Sequence, residues 1–375
     1  MRNEYYLNPF AMARSMAVLI TGLCIATATV SAGQALNSGF NRPGNILIAD
    51  QFNNRVIEIK TNGAIVWQFG LGPNDFSAKS IIGCNDAQRV GPFTLMAGTG
   101  TPPSVITNAP GGAVDNRVIL VDPFGHIVWQ YGQFGQTGDG SNLLSTPVQC
   151  TWLPNFTVLI TDQGNNRIIQ VNLAKQIVWQ FPAVGDTNQD DQLTSPNSAE
   201  LLENGHVLIS DELGSRAIEV THDGQIVQTF TASMTIGAVA FASRLPNGDT
   251  LLTDTSNANI IEVDTNDVPV WNYFTDTESN SIAAPLPTRA VRLRNGNTLI
   301  SDQFNNRVIE INMAKQIVAS YGLPLAGGGA IGNNIGYDLH TTQKGLYSPY
   351  DAKVVGDYTG LTPPFDVDND ADDNF

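Results

Sequence analysis

Three short hydrophobic runs recur as a unit along the chain, and each run is separated from the next by Asn, Asp or Gly. In the first copy the runs cover residues 45–49, 56–59 and 65–69, and the second break contains Asn62-Gly63. Short runs rich in Val and Ile that are bounded by turn residues predict β-strands joined by tight turns. No stretch has the spacing of an amphipathic helix. The pattern therefore predicts an all-β protein built from repeats.

The repeating unit occurs six times. Equivalent positions near the end of the six copies carry Trp67, Trp129, Trp179, Gln228, Trp271 and Ala319. Successive copies lie 43 to 62 residues apart, a spacing typical of the blades of β-propellers and longer than a leucine-rich or ankyrin unit. An insertion interrupts the second copy, which we place at residues 104–132. We interpret the tryptophans as packing between sheets.

A fourth strand precedes the copies and has the pattern Pro-x-x followed by a small or apolar residue. Its copies start at Pro92, Pro147, Pro196, Pro287 and Pro349, and one blade has Val239 instead. The first copy has no such strand before it, and the Pro349 strand has no copy after it. If the chain forms a ring, the Pro349 strand can supply the strand that the first copy lacks. We therefore predict an all-β, six-bladed β-propeller of four-stranded antiparallel blades over residues 37–360, in which the C-terminal strand pairs into the first blade.

The second strand of most copies ends in the motif Asp-x-x-Asn-Asn-Arg, followed by Val-Ile-Glu-Ile or a close variant. The motif covers residues 50–59, 162–171 and 302–311, and residues 211–220 have a weaker form. It resembles the core of the NHL repeat, and the resemblance extends over nearly all of residues 37–360. Asn259 stands where the Arg is expected in the fifth blade. The resemblance implies a six-bladed propeller, a fold that serves binding scaffolds, lyases and hydrolases alike.

We interpret the Asp and Arg of this motif as structural. The pairs are Asp50 with Arg55, Asp162 with Arg167, Asp211 with Arg216, and Asp302 with Arg307. Each Asp can accept hydrogen bonds from turn amides and from its Arg, while Asn tolerates left-handed turn geometry. A single active site needs no copy in every blade, so the recurrence predicts that these residues hold the blades together.

Repetition fails at the third residue of the Pro-x-x pattern. The six blades carry Thr94, Gln149, Ser198, Phe241, Arg289 and Asp351 there. This position lies near the face at which the inner strands begin, which we call the top. Variation at one point of a repeating frame predicts a shaped ligand-binding site at the mouth of the tunnel. The alternative is that these side chains only fill a narrowing channel.

One long top loop has the spacing of a calcium-binding loop. Asp186, Asn188 and Asp190 supply side-chain oxygens at positions 1, 3 and 5, and the backbone carbonyl of Gln192 stands at position 7. Asp191 replaces the usual turn glycine, and Asn197 stands where a glutamate belongs. Calcium binding and a solvated acidic loop are the two interpretations. Calcium is the only cofactor that the sequence suggests.

Charge and the N-terminus indicate where the protein works. Residues 1–35 have two arginines, an apolar run over 16–28 and small residues after it, as in a secretory signal peptide. We therefore expect a secreted or periplasmic protein with no membrane insertion after cleavage; an uncleaved anchor is the alternative. The formal net charge of −16 disfavours nucleic acid as a partner. Residues 361–375 are predicted to be an acidic C-terminal tail.

Two cysteines, Cys84 and Cys150, follow the predicted signal peptide. In an exported protein they are compatible with a disulfide, and equally with two buried thiols.

The distribution of reactive residues favours binding over catalysis. A zinc site like that of peptide-amidating propellers needs three convergent imidazoles, and the four histidines fall in turns that cannot converge. The first hypothesis is a non-catalytic scaffold that binds an extracellular protein, peptide or glycan through its top-face loops. The second is an enzyme resembling calcium-dependent lactonases or lyases, with a metal at the tunnel mouth. The third is a structural, self-assembling extracellular protein.

Overall fold

The computed structural model describes residues 37–106, 109–233, 235–278, 281–322 and 345–365. Within these ranges the chain forms 24 strands and three short 3₁₀ turns, at Gln51–Asn53, Gln163–Asn165 and Gln303–Asn305. The described residues include no helix long and apolar enough to cross a membrane. The predicted signal peptide lies outside the described residues, as does the acidic tail beyond residue 365.

The strands form six four-stranded antiparallel sheets. From the axis outward, blade 1 contains β24 (Pro349–Val354), β1 (Ile46–Asp50), β2 (Arg55–Ile59) and β3 (Ile65–Phe69), and blade 2 contains β4 (Cys84–Val90), β5 (Phe93–Gly98), β6 (Arg117–Val121) and β7 (Ile127–Gly132). In the same order, blade 3 contains β8 (Pro147–Trp152), β9 (Thr157–Asp162), β10 (Arg167–Asn172) and β11 (Ile177–Phe181), and blade 4 contains β12 (Pro196–Leu201), β13 (Val207–Asp211), β14 (Arg216–Val220) and β15 (Ile226–Phe230). Blade 5 contains β16 (Val239–Arg244), β17 (Thr250–Asp254), β18 (Asn259–Val263) and β19 (Pro269–Phe274), and blade 6 contains β20 (Arg289–Arg292), β21 (Thr298–Asp302), β22 (Arg307–Ile311) and β23 (Ile317–Tyr321).

The predicted ring closure is confirmed. β24 pairs antiparallel with β1, with Val354 opposite Ile46 and Asp351 opposite Ala49. The inner strands of neighbouring blades also contact one another in a closed circuit. The C-terminal strand therefore supplies the inner strand that the first blade lacks, and the all-β six-bladed architecture is the one that the repeats predict.

The predicted strand assignment in blade 2 is wrong. Its inner strand is β4, and the residues after Pro92 form β5, the second strand. The error arose because β4 begins at Cys84 and not at a proline, while Pro92 in the following turn imitates the pattern. Consequently the insertion covers residues 99–116, on the top face between β5 and β6, where Thr101 bridges Ala113.

The Asp-Arg pairs fasten the top loop within each blade. In blade 3, Asp162 accepts hydrogen bonds from Arg167 Nε (2.7 Å) and from the backbone N–H of Ser145 (2.8 Å), just before the inner strand of the same blade. The contact to the next blade comes from the second Asn of the motif. Asn166 has a left-handed backbone (φ 51°), and its Oδ1 accepts the N–H of Ser195 ahead of blade 4 (2.8 Å).

The same division holds at equivalent positions elsewhere in the ring. Asp50, Asp115, Asp211 and Asp302 accept their own blade's Arg: Arg55, Arg117, Arg216 and Arg307. Asn54, Asn116 and Asn306 accept an N–H from the loop that enters the next blade. The Asp-Arg pairs thus have a structural role within each blade, and the asparagines form the hydrogen bonds between blades.

Hydrophobic clusters fill the spaces between neighbouring blades, and the outer-strand tryptophans join them. Each indole also donates a hydrogen bond to a carbonyl in the bottom turn of the next blade. The pairs are Trp67 Nε1 with Pro123 O (3.0 Å), Trp129 Nε1 with Leu173 O (3.1 Å), Trp179 Nε1 with His222 O (2.7 Å) and Trp271 Nε1 with Met313 O (3.2 Å). Where the sequence has Gln228, its Nε2 makes the same bond to Thr265 O (3.0 Å).

Candidate functional site

The inner strands bring their third residues together around the axis. Five of the six inner strands have a register shift next to this residue, which is the signature of a β-bulge and re-aims a side chain. Gln149, Ser198, Phe241, Arg289 and Asp351 occupy this ring and are at most 1% exposed.

Thr94 is not part of this ring, contrary to the prediction. It lies on β5, where its Oγ1 accepts a hydrogen bond from Arg89 Nη1 (2.6 Å). The corrected strand assignment puts Asp86 in its place, so two carboxylates, Asp86 and Asp351, belong to the ring.

A largely buried lysine bridges these two carboxylates. Lys353 Nζ donates to Asp86 Oδ1 (2.6 Å), Asp351 Oδ2 (2.6 Å) and the carbonyl oxygen of Ala87 (3.0 Å). Burial is the main cause that raises the pKa of Asp351 to about 6, and the negative charge of Asp86 adds to it. The carboxylates raise the pKa of Lys353 in spite of its burial. An ammonium group therefore already pairs with both acidic groups that a metal at the axis would use.

Arg289 is locked into the wall of the tunnel. Its Nη1 donates to Asn197 Oδ1 (2.9 Å) and to the carbonyl oxygen of Thr288 (2.9 Å). The guanidinium carbon also lies 5.1 Å from the ring centroid of Phe241 and 5.2 Å from that of Tyr350, within cation–π range. Arg289 thus holds three inner strands together.

A second ring of polar side chains lies above, at the residue that follows the motif Asp. Sequence reasoning missed this ring, although it is the first variable position of Asp-x-x-Asn-Asn-Arg. Blades 1, 3, 4, 5 and 6 carry Gln51, Gln163, Glu212, Thr255 and Gln303 there.

Glu212 is the charged member of this upper ring. Its Oε2 accepts hydrogen bonds from Asn197 Nδ2 (2.7 Å) and Gln163 Nε2 (3.2 Å). Burial raises the pKa of Glu212. Glu212 and Gln163 are nevertheless partly exposed, so a molecule at the top face can reach them.

The opposite half of the mouth is closed. Gln303 Nε2 donates to Gln51 Oε1 (3.0 Å), and Gln51 Nε2 donates to Asn85 Oδ1 (2.8 Å). Above them the blade 2 insertion packs Ile106 and Ala109 against Phe52, with further apolar side chains from blades 1 and 6. The accessible part of the mouth therefore lies on the side of blades 3 and 4.

The bottom of the tunnel is plugged by the segment that follows β24. Thr362 donates from its backbone N–H (2.8 Å) and its Oγ1 (2.5 Å) to Glu200 Oε2, and Gln88 Nε2 donates to its carbonyl oxygen (3.1 Å). Gln149 Nε2 donates to the other oxygen of Glu200 (2.8 Å). The cavity beside this plug has about 20 Å³, room for about one water molecule. Residues 361–365 thus lie against the ring.

The predicted calcium loop is closed by its own hydrogen bonds. Asn188 Nδ2 donates to Asp191 Oδ2 (2.8 Å), and Gln192 Nε2 donates to the carbonyl oxygens of Asp186 and Asn188 (both 3.1 Å). Asp190 is exposed. Two of the predicted ligand oxygens also accept backbone N–H groups: Asp186 Oδ1 from Asn188 (2.8 Å) and Asn188 Oδ1 from Asp190 (3.3 Å). Across the described ranges, no group of three or more acidic, His or Cys side chains is arranged to hold a metal ion.

The two cysteines are free thiols in the structure, and both are buried. Cys150 Sγ lies 3.7 Å from Asp86 Oδ2, and Cys84 Sγ lies 3.4 Å from the carbonyl oxygen of Asp86. Burial, with the negative charge of Asp86, raises the pKa of both thiols. Of the two interpretations from sequence, the structure has the buried thiols and not the disulfide.

Comparison with known proteins supports the fold and goes no further. No family model matches the chain, and no curated protein matches it. A protein of unknown function from Bacteroides caccae is similar over 74% of this chain and 93% of its own, with 15% identity and a TM-score of 0.53. Virginiamycin B lyase from Staphylococcus aureus is similar over 65% of this chain and 71% of its own, with 13% identity and a TM-score of 0.45.

Proposed function

We propose that the chain is a secreted, NHL-like propeller that binds a polypeptide or glycan at its top face without doing chemistry on it. The observation that carries the proposal is the partly exposed carboxylate of Glu212, held by Asn197 and Gln163 away from the blade 2 insertion. Variable polar groups on a rigid scaffold are typical of binding sites.

The chemistry of Glu212 suggests what is bound. Its Oε2 already accepts two hydrogen bonds, while no described residue donates to Oε1. A carboxylate accepts up to about four hydrogen bonds, so Glu212 can take N–H or O–H donors from a ligand. Peptide amides, amines and sugar hydroxyls are such donors.

Two observations favour binding over catalysis, the first against a metal-assisted site and the second against a cysteine nucleophile. Lys353 already bridges the two carboxylates on the axis. The raised pKa of each cysteine keeps its thiol neutral, and a neutral thiol is a poor nucleophile. Metal analysis of the purified protein tests the enzymatic alternative, and light scattering across concentration tests the self-assembling one.

The proposal is tested with labelled protein on peptide and glycan arrays. Glu212→Gln keeps the shape of the site and removes its charge, so we expect at least a tenfold loss of signal on the arrayed molecules that wild type binds. The matched control is Glu203→Gln, which makes the same change in an exposed bottom turn of the same blade and should bind like wild type. Equal binding by wild type and Glu212→Gln would contradict the proposal.

A further inference from the structure

The junctions between blades have a common design at the outer rim. At five of them an outer-strand side chain donates to the second residue of the next blade's bottom turn, as described above for the four tryptophans and Gln228. The indole of Trp67 also joins the cluster of Ile119, Val121 and Ile127 of blade 2. An indole at this position thus has an aliphatic floor and a carbonyl acceptor.

The sixth junction, between blades 6 and 1, has the aliphatic floor and the carbonyl acceptor but no indole. Ala319 stands in the tryptophan position. In blade 1 the aliphatic floor is formed by Ile57, Ile59 and Ile65, and the bottom turn that carries the acceptor is residues 61–63. These residues line a cavity of about 200 Å³.

Neighbouring side chains also indicate a space at this junction. Tyr321 stands two residues after Ala319, where other blades have Phe69 and Phe181. Those two rings are buried, whereas Tyr321 is only partly buried and faces the cavity. The cavity thus lies at the junction where a small residue, Ala319, takes a position that otherwise carries a large side chain.

We propose that this cavity is a binding site for the indole side chain of a tryptophan on a partner polypeptide, with the indole N–H donating to the carbonyl oxygen of Thr61. That carbonyl is the equivalent of Pro123 O and Met313 O, which accept from Trp67 and Trp271. No described residue donates to it. An apolar cavity of about 150 Å³ holds a benzene ring, so 200 Å³ suits an indole.

The position of the cavity favours a polypeptide as the partner. Thr61 and Asn62 are exposed, so solvent reaches the acceptor. Within the described ranges β23 pairs with β22 alone, which makes it the edge strand of its blade, and an edge strand can hydrogen-bond another chain. This surface is separate from the top face, so its test does not depend on the function proposed above.

The test uses ¹⁹F NMR of N-acetyl-5-fluorotryptophanamide with the full chain. We expect saturable binding at one site. Ala319→Trp fills the cavity from within, as Trp271 does at the preceding junction, and should weaken binding more than tenfold. Gln228→Trp introduces the same side chain at another junction and should leave binding unchanged. If circular dichroism shows that Ala319→Trp does not fold, Ala319→Met replaces it with the same expectation.

Two further probes test the chemistry. The analogue methylated at the indole nitrogen cannot donate to Thr61, and we expect about three- to tenfold weaker binding, as for a lost hydrogen bond. Plain indole lacks the peptide groups and should also bind more weakly. Absence of saturable binding to wild type, or equal binding by the Ala319 variants, would overturn the proposal. Plain indole binding as tightly as the amide would overturn the assignment to a polypeptide.

Discussion

Asp351, Asp86 and Lys353 place two negative charges and one positive charge in the buried core of the ring. The lysine neutralises one carboxylate, so burial penalises the remaining negative charge. This is why the pKa of Asp351 rises to about 6, above the value of about 3.9 in an unfolded chain. The folded protein therefore takes up this proton first as the pH falls, and the contribution of Asp351 to stability is lost as the pH rises through 6.

Replacing Asp351 by Asn should change the pH dependence of stability. Between pH 7 and pH 5 the wild type should gain about 1 kcal/mol in free energy of unfolding relative to Asp351→Asn, because the variant has no proton to take up here. Urea unfolding at the two pH values measures this difference. Asp190→Asn, in an exposed loop, serves as the control with a wild-type profile. Parallel profiles for wild type and Asp351→Asn would show that the carboxyl titrates normally.

At the residue scale the sequence predicted five of the six ring positions but not the chemistry around them. Asp86 was missed because Cys84 stands in place of the proline that marks four of the other five inner strands. Lys353 is two residues from Asp351, yet only the fold brings it to Asp86. Glu212 stood in the motif beside Asp211, and comparing the first variable position of the motif among blades would have found it.

At the scale of elements, strands and turns follow from local chemistry, and the way they are fastened does not. The motif predicted left-handed asparagines, and Asn54, Asn166 and Asn306 have φ between 49° and 55°. That these same residues bond to the next blade depends on tertiary packing. The fold of the blade 2 insertion could not be predicted either, because residues 99–114 match nothing else in the chain.

Asn166 allows the two roles of this asparagine to be separated. Asn166→Gly keeps the left-handed turn and loses the hydrogen bond to Ser195, which should cost about 1 kcal/mol. Asn166→Ala also adds the cost of a left-handed alanine, for a total of about 2 kcal/mol. Urea midpoints of the two variants measure both effects. Equal midpoints for the Gly and Ala variants would mean that the turn relaxes and that only the hydrogen bond matters.

For the whole molecule, the C-terminal segment does two things within about twenty residues. β24 completes blade 1 and covers Leu47 and Ala49, which lie in the cluster between blades 1 and 2. The following residues lead Thr362 to Glu200 under the tunnel. The recurring Pro-x-x pattern made the first role predictable. The second could not be predicted, because residues 361–365 belong to no repeat.

A graded set of C-terminal deletions separates these roles. Removing residues 366–375 should leave the melting temperature unchanged. Removing residues 356–375 keeps the ring but deprives Glu200 of the two hydrogen bonds from Thr362, which we expect to cost about 2 kcal/mol and to lower the melting temperature by several degrees. Removing residues 346–375 also removes β24, which exposes the inner edge of β1 and should abolish cooperative unfolding and resistance to protease. Calorimetry and limited proteolysis distinguish the three outcomes. A cooperative, protease-resistant protein after the longest deletion would mean that the ring is stable without its closing strand. The plug and the tail are also absent from that variant, so neither could explain its stability.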